Sequence, residues 1–209
     1  MPLLPLIGIA VVELFTSEGC SSCPPADALL NELARQPHVF ALAFHVDYWN
    51  RLGWPDPFSN PKFSDRQRTY SPDIYTPQMI VNGREAFVGS DRSRVTRAIE
   101  AAQKQLAPVA INLRWHSSSV EYKVTGAPKD VWLHLAVIES GIRQKVPRGE
   151  NAGKTLLHDN VVREFVSVRL RSQTGRCDLA TTRGRELIGF VQSSSTRLVL
   201  GAARCKFEP

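Results

Sequence analysis

The chain has 209 residues, of which 43% are hydrophobic and 22% charged, a composition that favours a folded globular protein over a disordered one. Its net charge is +6, but lysine and arginine are spread over the whole length without a recognition motif, so the sequence does not favour nucleic-acid binding. No apolar run reaches the roughly 18 residues that a membrane-spanning helix needs. Residues 1–10 are apolar but lack a positively charged start, so they do not form a complete signal peptide.

The first half of the chain has the pattern of alternating strands and helices. Short apolar runs with β-branched residues indicate strands, and apolar residues three and four positions apart indicate helices. Asn82-Gly83 is the strongest hairpin signal in the chain, and Asn60 is placed to cap a helix. The predicted elements are a strand at 11–15, a helix at 26–35, a strand at 39–46, a helix ending at 68, strands at 78–81 and 85–88, and a helix at 92–105.

The second half is predicted to consist of strands, which turn signals separate and which together indicate a β-sandwich. The strand at 131–138 is apolar at both alternating sets of positions, so it is predicted to be buried on both faces. The predicted strands are 109–115, 120–124, 131–138, 161–170, 186–191 and 197–202. We therefore predict two domains. Residues 1–106 form an α/β domain with a proline-rich insertion at about 50–75, and residues 107–209 form an all-β sandwich-like domain.

A Cys-x-x-Cys motif lies between the first predicted strand and the first predicted helix. Cys20 and Cys23 are close enough in sequence to form a small disulfide, and a helix N-terminus lowers the pKa of a thiol beside it. Cys20 is predicted to be the exposed nucleophile and Cys23 the more buried resolving thiol. Pro24 disfavours a helical backbone at Cys23, which predicts that the helix begins late.

The order of elements up to residue 105, with this dithiol after the first strand, resembles the thioredoxin superfamily. Pro77 directly precedes the predicted strand at 78–81, where thioredoxin-like proteins keep a cis-proline that faces the dithiol. Only X-Pro bonds adopt the cis form readily, so the resemblance implies a cis Thr76–Pro77 bond. The alternative is an ordinary trans proline at the start of a strand.

Several segments are similar to a narrower, uncharacterised bacterial family of thioredoxin-like proteins that are usually exported. The resemblance covers nearly the whole chain and implies a periplasmic or secreted protein, but it supplies no established substrate. The matching segments lie at residues 15–27, 44–49, 75–78, 149–154 and 157–158.

Glu13 is a carboxylate within the apolar first strand, where it needs either a partner or a function. The thioredoxin resemblance implies that it accepts the proton of the resolving thiol, and a salt-bridged glutamate is the alternative. His45 ends the second strand, at the edge where ligands of α/β proteins gather. His45, Trp49 and Thr76 are predicted to contact substrate. A structural histidine and a tryptophan that packs the insertion are the alternatives.

Cys177 and Cys205 lie far from the close pair. They are either buried, inert thiols or a structural disulfide of the second half, which would require an oxidising compartment. Since no second close pair exists, a four-cysteine zinc site is not predicted.

The leading hypothesis from the sequence is a thiol–disulfide oxidoreductase that acts on protein or small-molecule thiols, without a cofactor or metal, and with a redox partner still to be identified. One alternative is a redox-inert binding module in which Cys20–Cys23 is a permanent structural disulfide. The other is a copper-handling protein in which both thiols and His45 bind Cu(I), since soft thiolates select that ion.

Overall fold

The structure is a computed structural model that describes residues 8–116, 118–180 and 186–207. Among these residues, no helix is both long and apolar enough to cross a membrane. Three α-helices and a short 3-10 helix at Asn50–Leu52 are present in the described part of the chain. The α-helices are α1 (Pro24–Leu33), α2 (Pro61–Arg68) and α3 (Arg92–Gln103).

The described residues are mostly β and form thirteen strands. Those before α3 are β1 (Ala10–Thr16), β2 (Val39–His45), β3 (Gln78–Val81) and β4 (Ala86–Val88). Those after it are β5 (Ala110–His116), β6 (Ser119–Thr125), β7 (Val131–Glu139), β8 (Ile142–Lys145), β9 (Thr155–His158), β10 (Val161–Arg169), β11 (Thr174–Asp178), β12 (Glu186–Ser193) and β13 (Val199–Lys206).

The predicted fold class, a thioredoxin-like α/β domain followed by a separate β-sandwich-like domain, is wrong. Strands from both halves form one mixed eight-stranded sheet in the order β13-β12-β7-β10-β2-β1-β3-β4. The halves join where β10 pairs parallel with β2, at Val161 opposite Ala43. The predicted boundary at residues 106–107 falls in the connection between α3 and β5.

The join between β2 and β10 depends on Asn160, which has a left-handed φ of 54°. Its carbonyl oxygen accepts the Ala43 N–H at 2.9 Å, and its side-chain Nδ2 donates to the Ala41 carbonyl at 2.8 Å. Asparagine tolerates the left-handed region better than most residues. A single residue therefore satisfies two backbone groups of β2, one through its carbonyl and one through its side chain, where the sheet crosses from one half to the other.

Local signals predicted several elements correctly. Asn60 caps α2 by accepting the Lys62 N–H at 3.0 Å, as the sequence indicates. The Asn82-Gly83 turn has positive φ at both residues and connects the antiparallel strands β3 and β4, which confirms the predicted hairpin. The strand at Val131–Glu139 is buried on both faces, also as predicted.

The two faces of the large sheet are covered differently. On one face, α1 and α3 pack over β1 and its neighbours, and a second sheet of order β11-β6-β5 packs over the β12 and β7 end. On the other face, the helix α2 inserts Phe63 into a cluster of aromatic and aliphatic side chains. Alternate residues of β1 supply the two faces, because successive side chains of a strand point to opposite sides.

A buried ion pair holds α2 against the sheet. Glu13 of β1 receives two hydrogen bonds of 2.9 Å from the guanidinium of Arg66, and the Tyr70 hydroxyl also contacts its carboxylate. The same guanidinium donates to Oε1 of Gln192 on β12 at 3.0 Å. The network therefore connects β1, α2 and β12, which come from both halves of the chain.

Loss of one partner of this pair should destabilise the fold strongly, because the other charge stays buried without compensation. We expect Arg66→Met and Glu13→Leu each to reduce the free energy of unfolding by about 3–5 kcal/mol, and the double variant to lose less than the sum. Urea denaturation followed by circular dichroism measures this. Arg92→Met, which breaks the exposed bidentate pair with Glu32, is the matched control and should leave the free energy of unfolding almost unchanged, because solvent screens an exposed ion pair. Additive losses in the double variant would contradict the account.

Candidate functional site

Cys20 and Cys23 form a disulfide at the start of α1, with their Cα atoms 5.4 Å apart. The prediction that α1 begins late is wrong. Pro24 occupies the first helical position, where a missing N–H costs nothing, and Cys23 itself has helical angles of φ −77° and ψ −37°. The Cys23 carbonyl accepts the N–H groups of Ala26 and Asp27, so the helix is regular from its first turn.

Both cysteines are buried, so the prediction of an exposed Cys20 is wrong as well. Each has 0% of its surface exposed, whereas the two serines between them are exposed. The Cys20 sulfur lies 3.4 Å from the hydroxyl oxygen of Ser22. A disulfide partner therefore reaches this sulfur past the serines only after neighbouring groups move.

Part of the cover comes from the second half of the chain. The loop at residues 146–154, which joins β8 and β9, lies against the backbone around the disulfide. The Nδ2 of Asn151 donates to the carbonyl oxygens of Glu18 and Cys20 at 2.8 and 2.9 Å. The Ser21 N–H donates to the Glu150 carboxylate at 3.0 Å, and hydrogen bonds from the Ser21 side chain and then from this N–H lower the pKa of Glu150. The loop therefore fixes the backbone on both sides of Cys20.

The Thr76–Pro77 bond is cis, as the resemblance described under the sequence implied. Gly89 separates Pro77 from α1, since a Cβ built there would lie 3.2 Å from the Ala26 Cβ and 3.4 Å from the Pro77 Cβ. The Thr76 hydroxyl accepts a hydrogen bond of 2.8 Å from the indole of Trp49. Thr76, Pro77 and Trp49 are therefore linked residues that lie beside the first turn of α1.

Five ionisable side chains are buried next to the disulfide, each at least nine-tenths inaccessible to solvent. Glu18 contacts the indole of Trp54 at 2.8 Å and the imidazole of His158 at 3.1 Å. Burying charged groups is costly unless they are paired, and such clusters mark functional sites more often than chance. The five residues are Glu18, Asp27, His45, Asp56 and His158, and we refer to them as the buried ionisable cluster.

His45 and Asp56 form an ion pair within this cluster, with Nδ1 and Oδ2 2.8 Å apart. Burial alone would lower the pKa of His45, but the Asp56 carboxylate outweighs it, so the pKa lies above the ordinary value of 6.5. Burial likewise opposes ionisation of Asp56, but His45 and backbone N–H groups hold its pKa below 3.8. The stabilisation from the pair is complete between these two ordinary values and is lost as the pH rises through the pKa of His45 or falls through that of Asp56.

Asp27 is the acidic residue that α1 itself supplies to the cluster. It lies four residues after Cys23, so both side chains share a face of the helix. Burial raises the pKa of Asp27 above its ordinary value, although His158, His45 and a hydrogen bond of 2.7 Å from the Thr16 hydroxyl act against that shift. A carboxyl group with a raised pKa can exchange a proton nearer to neutral pH than an exposed aspartate.

The structure does not bring Glu13 to the disulfide. Thr16 of β1 faces Asp27 and α1, whereas Glu13 points to the opposite face of the sheet and binds Arg66. Glu13 and Thr16 are three positions apart along the strand, and residues an odd number of positions apart point to opposite faces because side chains alternate in direction. The alternative of a salt-bridged glutamate is therefore the arrangement found.

The other predicted site residues have definite positions. His45 belongs to the buried ionisable cluster, and its Nε2 has no hydrogen-bond partner among the described residues. The imidazoles of His45 and His158 lie 5.0 Å apart. Cys177 on β11 and Cys205 on β13, which belong to different sheets, are not joined to each other by a disulfide in the described part of the chain.

The described residues contain no group of three or more His, Cys, Asp or Glu side chains arranged to hold a metal ion. The two thiols are joined to each other, and Nδ1 of His45 is occupied by Asp56. The copper hypothesis therefore lacks a ligand set in this arrangement.

Sequence reasoning missed Asp27, Asp56 and Glu18 as members of the site. Asp27 carried a usable signal, since an aspartate four residues after Cys23 in a predicted helix must lie beneath that cysteine. Asp56 and Glu18 carried none, because loops bring them together with His45 and no local pattern specifies that contact.

Fold and site together define a mixed-sheet protein with a Cys-x-x-Cys disulfide at a helix start, above buried ionisable side chains. Residues 11–192 match a family described as a protein of unknown function, DUF1223, and the chain belongs to that family. This agrees with the resemblance to an uncharacterised family seen in the sequence.

Two solved structures are similar to this chain over nearly its full length. A protein from Agrobacterium tumefaciens, determined by a structural genomics consortium, is 27% identical with a TM-score of 0.77, and the match covers 97% of this chain and 98% of that one. HBP35 of Porphyromonas gingivalis is 14% identical with a TM-score of 0.71, covering 97% and 76%, and at that identity the similarity concerns the fold alone. A search of curated proteins found no match.

The raised pKa of Asp27 has a consequence for stability. The favourable contribution of its neutral form is complete below pH 3.8 and is lost as the pH rises through the raised pKa. We therefore expect the Asp27→Asn variant to become more stable relative to the wild type over the pH interval from 3.8 to the raised pKa of Asp27. Urea denaturation at a series of pH values measures this difference. Thr16→Val removes a hydrogen bond that favours the carboxylate, so it should move the interval to higher pH. A stability difference that is independent of pH would contradict the assignment.

The ion pair of His45 with Asp56 leads to a prediction about the titration of the His45 imidazole. Asp56→Asn removes the main charge that raises the pKa of His45, so that pKa should fall, because burial lowers it and only the weaker effects of Asp27 and Glu18 still oppose burial. Titration of the imidazole by heteronuclear NMR measures it, with the exposed His116 as an internal control that should not change. An unaltered His45 titration in the variant would contradict the account.

Proposed function

We propose that this protein is a thiol–disulfide oxidoreductase that uses Cys20 and Cys23 to exchange electrons with the disulfides or thiols of other molecules. The observation that carries the proposal is the position of the disulfide at the first turn of α1, between Glu18 and Asp27, which both belong to the buried ionisable cluster. A disulfide with a purely structural role gains nothing from buried ionisable groups, which cost free energy. A dithiol that must release and regain protons does gain from them.

The exchange proceeds in two balanced steps when the protein acts as a reductant. The Cys20 thiolate attacks one sulfur of a substrate disulfide, which forms a mixed disulfide and releases the other substrate sulfur as a thiolate. The Cys23 thiolate then attacks the Cys20 sulfur, closes the Cys20–Cys23 disulfide and releases the second substrate thiolate. Two electrons pass to the substrate, and the two protons of the dithiol pass to solvent or to the substrate thiolates. The reverse sequence oxidises a substrate dithiol.

We assign Asp27 the proton-accepting role that the sequence had suggested for Glu13. Cys23 must lose its proton before it attacks, and Asp27 lies one helical turn from it on the same face. Burial raises the pKa of Asp27, which makes its carboxylate a stronger base than an exposed one. Glu13 supports α2 instead, through its ion pair with Arg66.

Substrate access requires movement next to Cys20, since its sulfur is covered. We propose that a substrate enters beside Trp49 and Thr76 and displaces the loop that carries Asn151. The hydrogen bonds of Asn151 to the Cys20 and Glu18 carbonyls offer a means of releasing and restoring this cover. An exported location, in the periplasm or outside the cell, belongs to the same proposal and rests on the family resemblance.

A redox-inert module is the second candidate, because complete burial of both sulfurs is also what a structural disulfide shows. The two candidates differ in one measurable property. An oxidoreductase reduces and reoxidises this disulfide with physiological thiols, whereas a structural disulfide resists glutathione.

Replacement of the attacking thiol tests the proposal. Cys20→Ser should abolish disulfide reduction in the insulin turbidity assay with dithiothreitol, and Cys23→Ser should accumulate mixed disulfides that mass spectrometry detects, because the resolving thiol is missing. The double variant Cys177→Ser/Cys205→Ser is the matched control and should keep wild-type activity. Full activity in Cys20→Ser would overturn the proposal, and inactivity of the wild type together with resistance to glutathione would favour the structural disulfide.

A further inference from the structure

A second concave site lies on the face of the large sheet opposite to α1 and the dithiol. It is a cavity of about 460 Å³ between α2 and the strands β10, β7 and β12. On this face α2 covers only part of the sheet, so side chains beyond its edge remain accessible from the cavity. The volume is within the range of small-molecule binding sites, which is about 300–1,000 Å³.

Aromatic rings form the floor of this cavity. Trp132 and His134 lie on β7, and Phe165 lies beside them on β10. The rings of His134 and Phe165 are stacked, with centroids 5.3 Å apart and planes inclined by 12°. Flat ring surfaces of this kind favour a planar apolar ligand, because aromatic pairs stack or meet edge to face.

Arg66 supplies a buried positive charge to the same cavity. Its Nε and Nη2 donate to Glu13, Tyr70 and Gln192, as described for the fold. Its Nη1 carries two N–H groups but has one hydrogen-bond contact in the described structure, a long one of 3.5 Å to Nε2 of His134, and the guanidinium carbon lies 5.2 Å from the centroid of the Phe165 ring. A guanidinium that is 92% buried thus retains a donor for an acceptor placed in the cavity.

The rim adds further positive charge. Lys62 and Arg197 are exposed residues that line the cavity, and Asp65 is the one carboxylate among its lining residues in the described structure. The charge of Arg66 is largely balanced by Glu13. The lining therefore favours an anionic group near the rim through Lys62 and Arg197, and His134 adds no charge of its own because burial and then Arg66 hold its pKa well below 6.5.

We propose that this cavity binds small aromatic carboxylates. The ring of the ligand lies against Trp132 and Phe165, and its carboxylate accepts hydrogen bonds from Nη1 of Arg66 and from Arg197 or Lys62. Three features occur together in this cavity: an aromatic floor, a buried guanidinium with a donor to spare, and a cationic rim. Neither the dithiol chemistry nor the ion pair with Glu13 requires this combination. The site is independent of the proposed oxidoreductase function, and so is its test.

The test uses 2-naphthoate and its neutral isostere 2-naphthamide as probes of the full chain. We expect 2-naphthoate to bind in isothermal titration calorimetry and 2-naphthamide to bind about tenfold more weakly, because the amide lacks the charge that strengthens hydrogen bonds to guanidinium groups. In NMR spectra, the indole N–H of Trp132 and the Nε–H of Arg66 should shift with 2-naphthoate, which locates the ligand.

Surface variants separate this site from non-specific attraction to a cationic protein. Lys62→Gln/Arg197→Gln should weaken 2-naphthoate binding about tenfold, whereas Arg94→Gln, an exposed substitution on α3, should leave it unchanged. Both variants alter exposed side chains, so thermal unfolding checks that they fold as the wild type does. Equal binding of the two probes, equal affinity in both variants, or no shift of the Trp132 indole would each overturn the proposal.

Discussion

The parallel pairing of β2 with β10 is the constraint on which the rest of the structure depends. It joins strands from the two halves of the chain into one sheet, at Val161 opposite Ala43. His45 follows Ala43 at the end of β2, and His158 precedes Val161 at the end of β9. The pairing therefore brings the two imidazoles to 5.0 Å and carries the loop with Asn151 onto the backbone of Cys20. On the opposite face the same sheet forms the floor of the aromatic cavity.

The candidate site is consequently a product of both halves. The first half provides the disulfide, Asp27 and His45, and the second provides His158, Asn151 and Glu150. A first half expressed alone would leave the edge of β2 without its neighbour β10. Glu18 would also lose its contact with His158. Buried ionisable groups stay in the protein interior only when their partners are fixed around them, so the large sheet and the site chemistry depend on each other.

Local sequence signals predicted much of the structure, and the reason is physical. Asn60, Asn82-Gly83 and the apolar run at 131–138 specify a cap, a turn and a buried strand through their own backbone and side-chain preferences. Strand pairing between the halves could not be predicted in this way, because β-strand patterns indicate burial but not partners. The short strands β8, β9 and β11 were missed for a related reason, since four or five residues carry little periodicity.

The same distinction applies to the site. The dithiol and the proline at residue 77 are visible as motifs, whereas the loop that binds the Cys20 carbonyl comes from more than a hundred residues away. Helical periodicity could have predicted the position of Asp27, whereas Asp56 contacts His45 only because of the way a loop folds. Motifs therefore identified the two cysteines and the cis proline, whereas tertiary contacts determine how accessible the cysteines are and which ionisable side chains surround them.

The central claim is that the Cys20–Cys23 disulfide is an electron carrier. Its reduction potential tests that claim most directly, measured by equilibrating the protein in glutathione buffers, alkylating the free thiols and quantifying the two forms by mass spectrometry. The account predicts a reversible two-electron couple within the range of known thiol–disulfide oxidoreductases, about −270 to −120 mV. A disulfide that stays closed in every glutathione buffer, with a potential below about −300 mV, would contradict it.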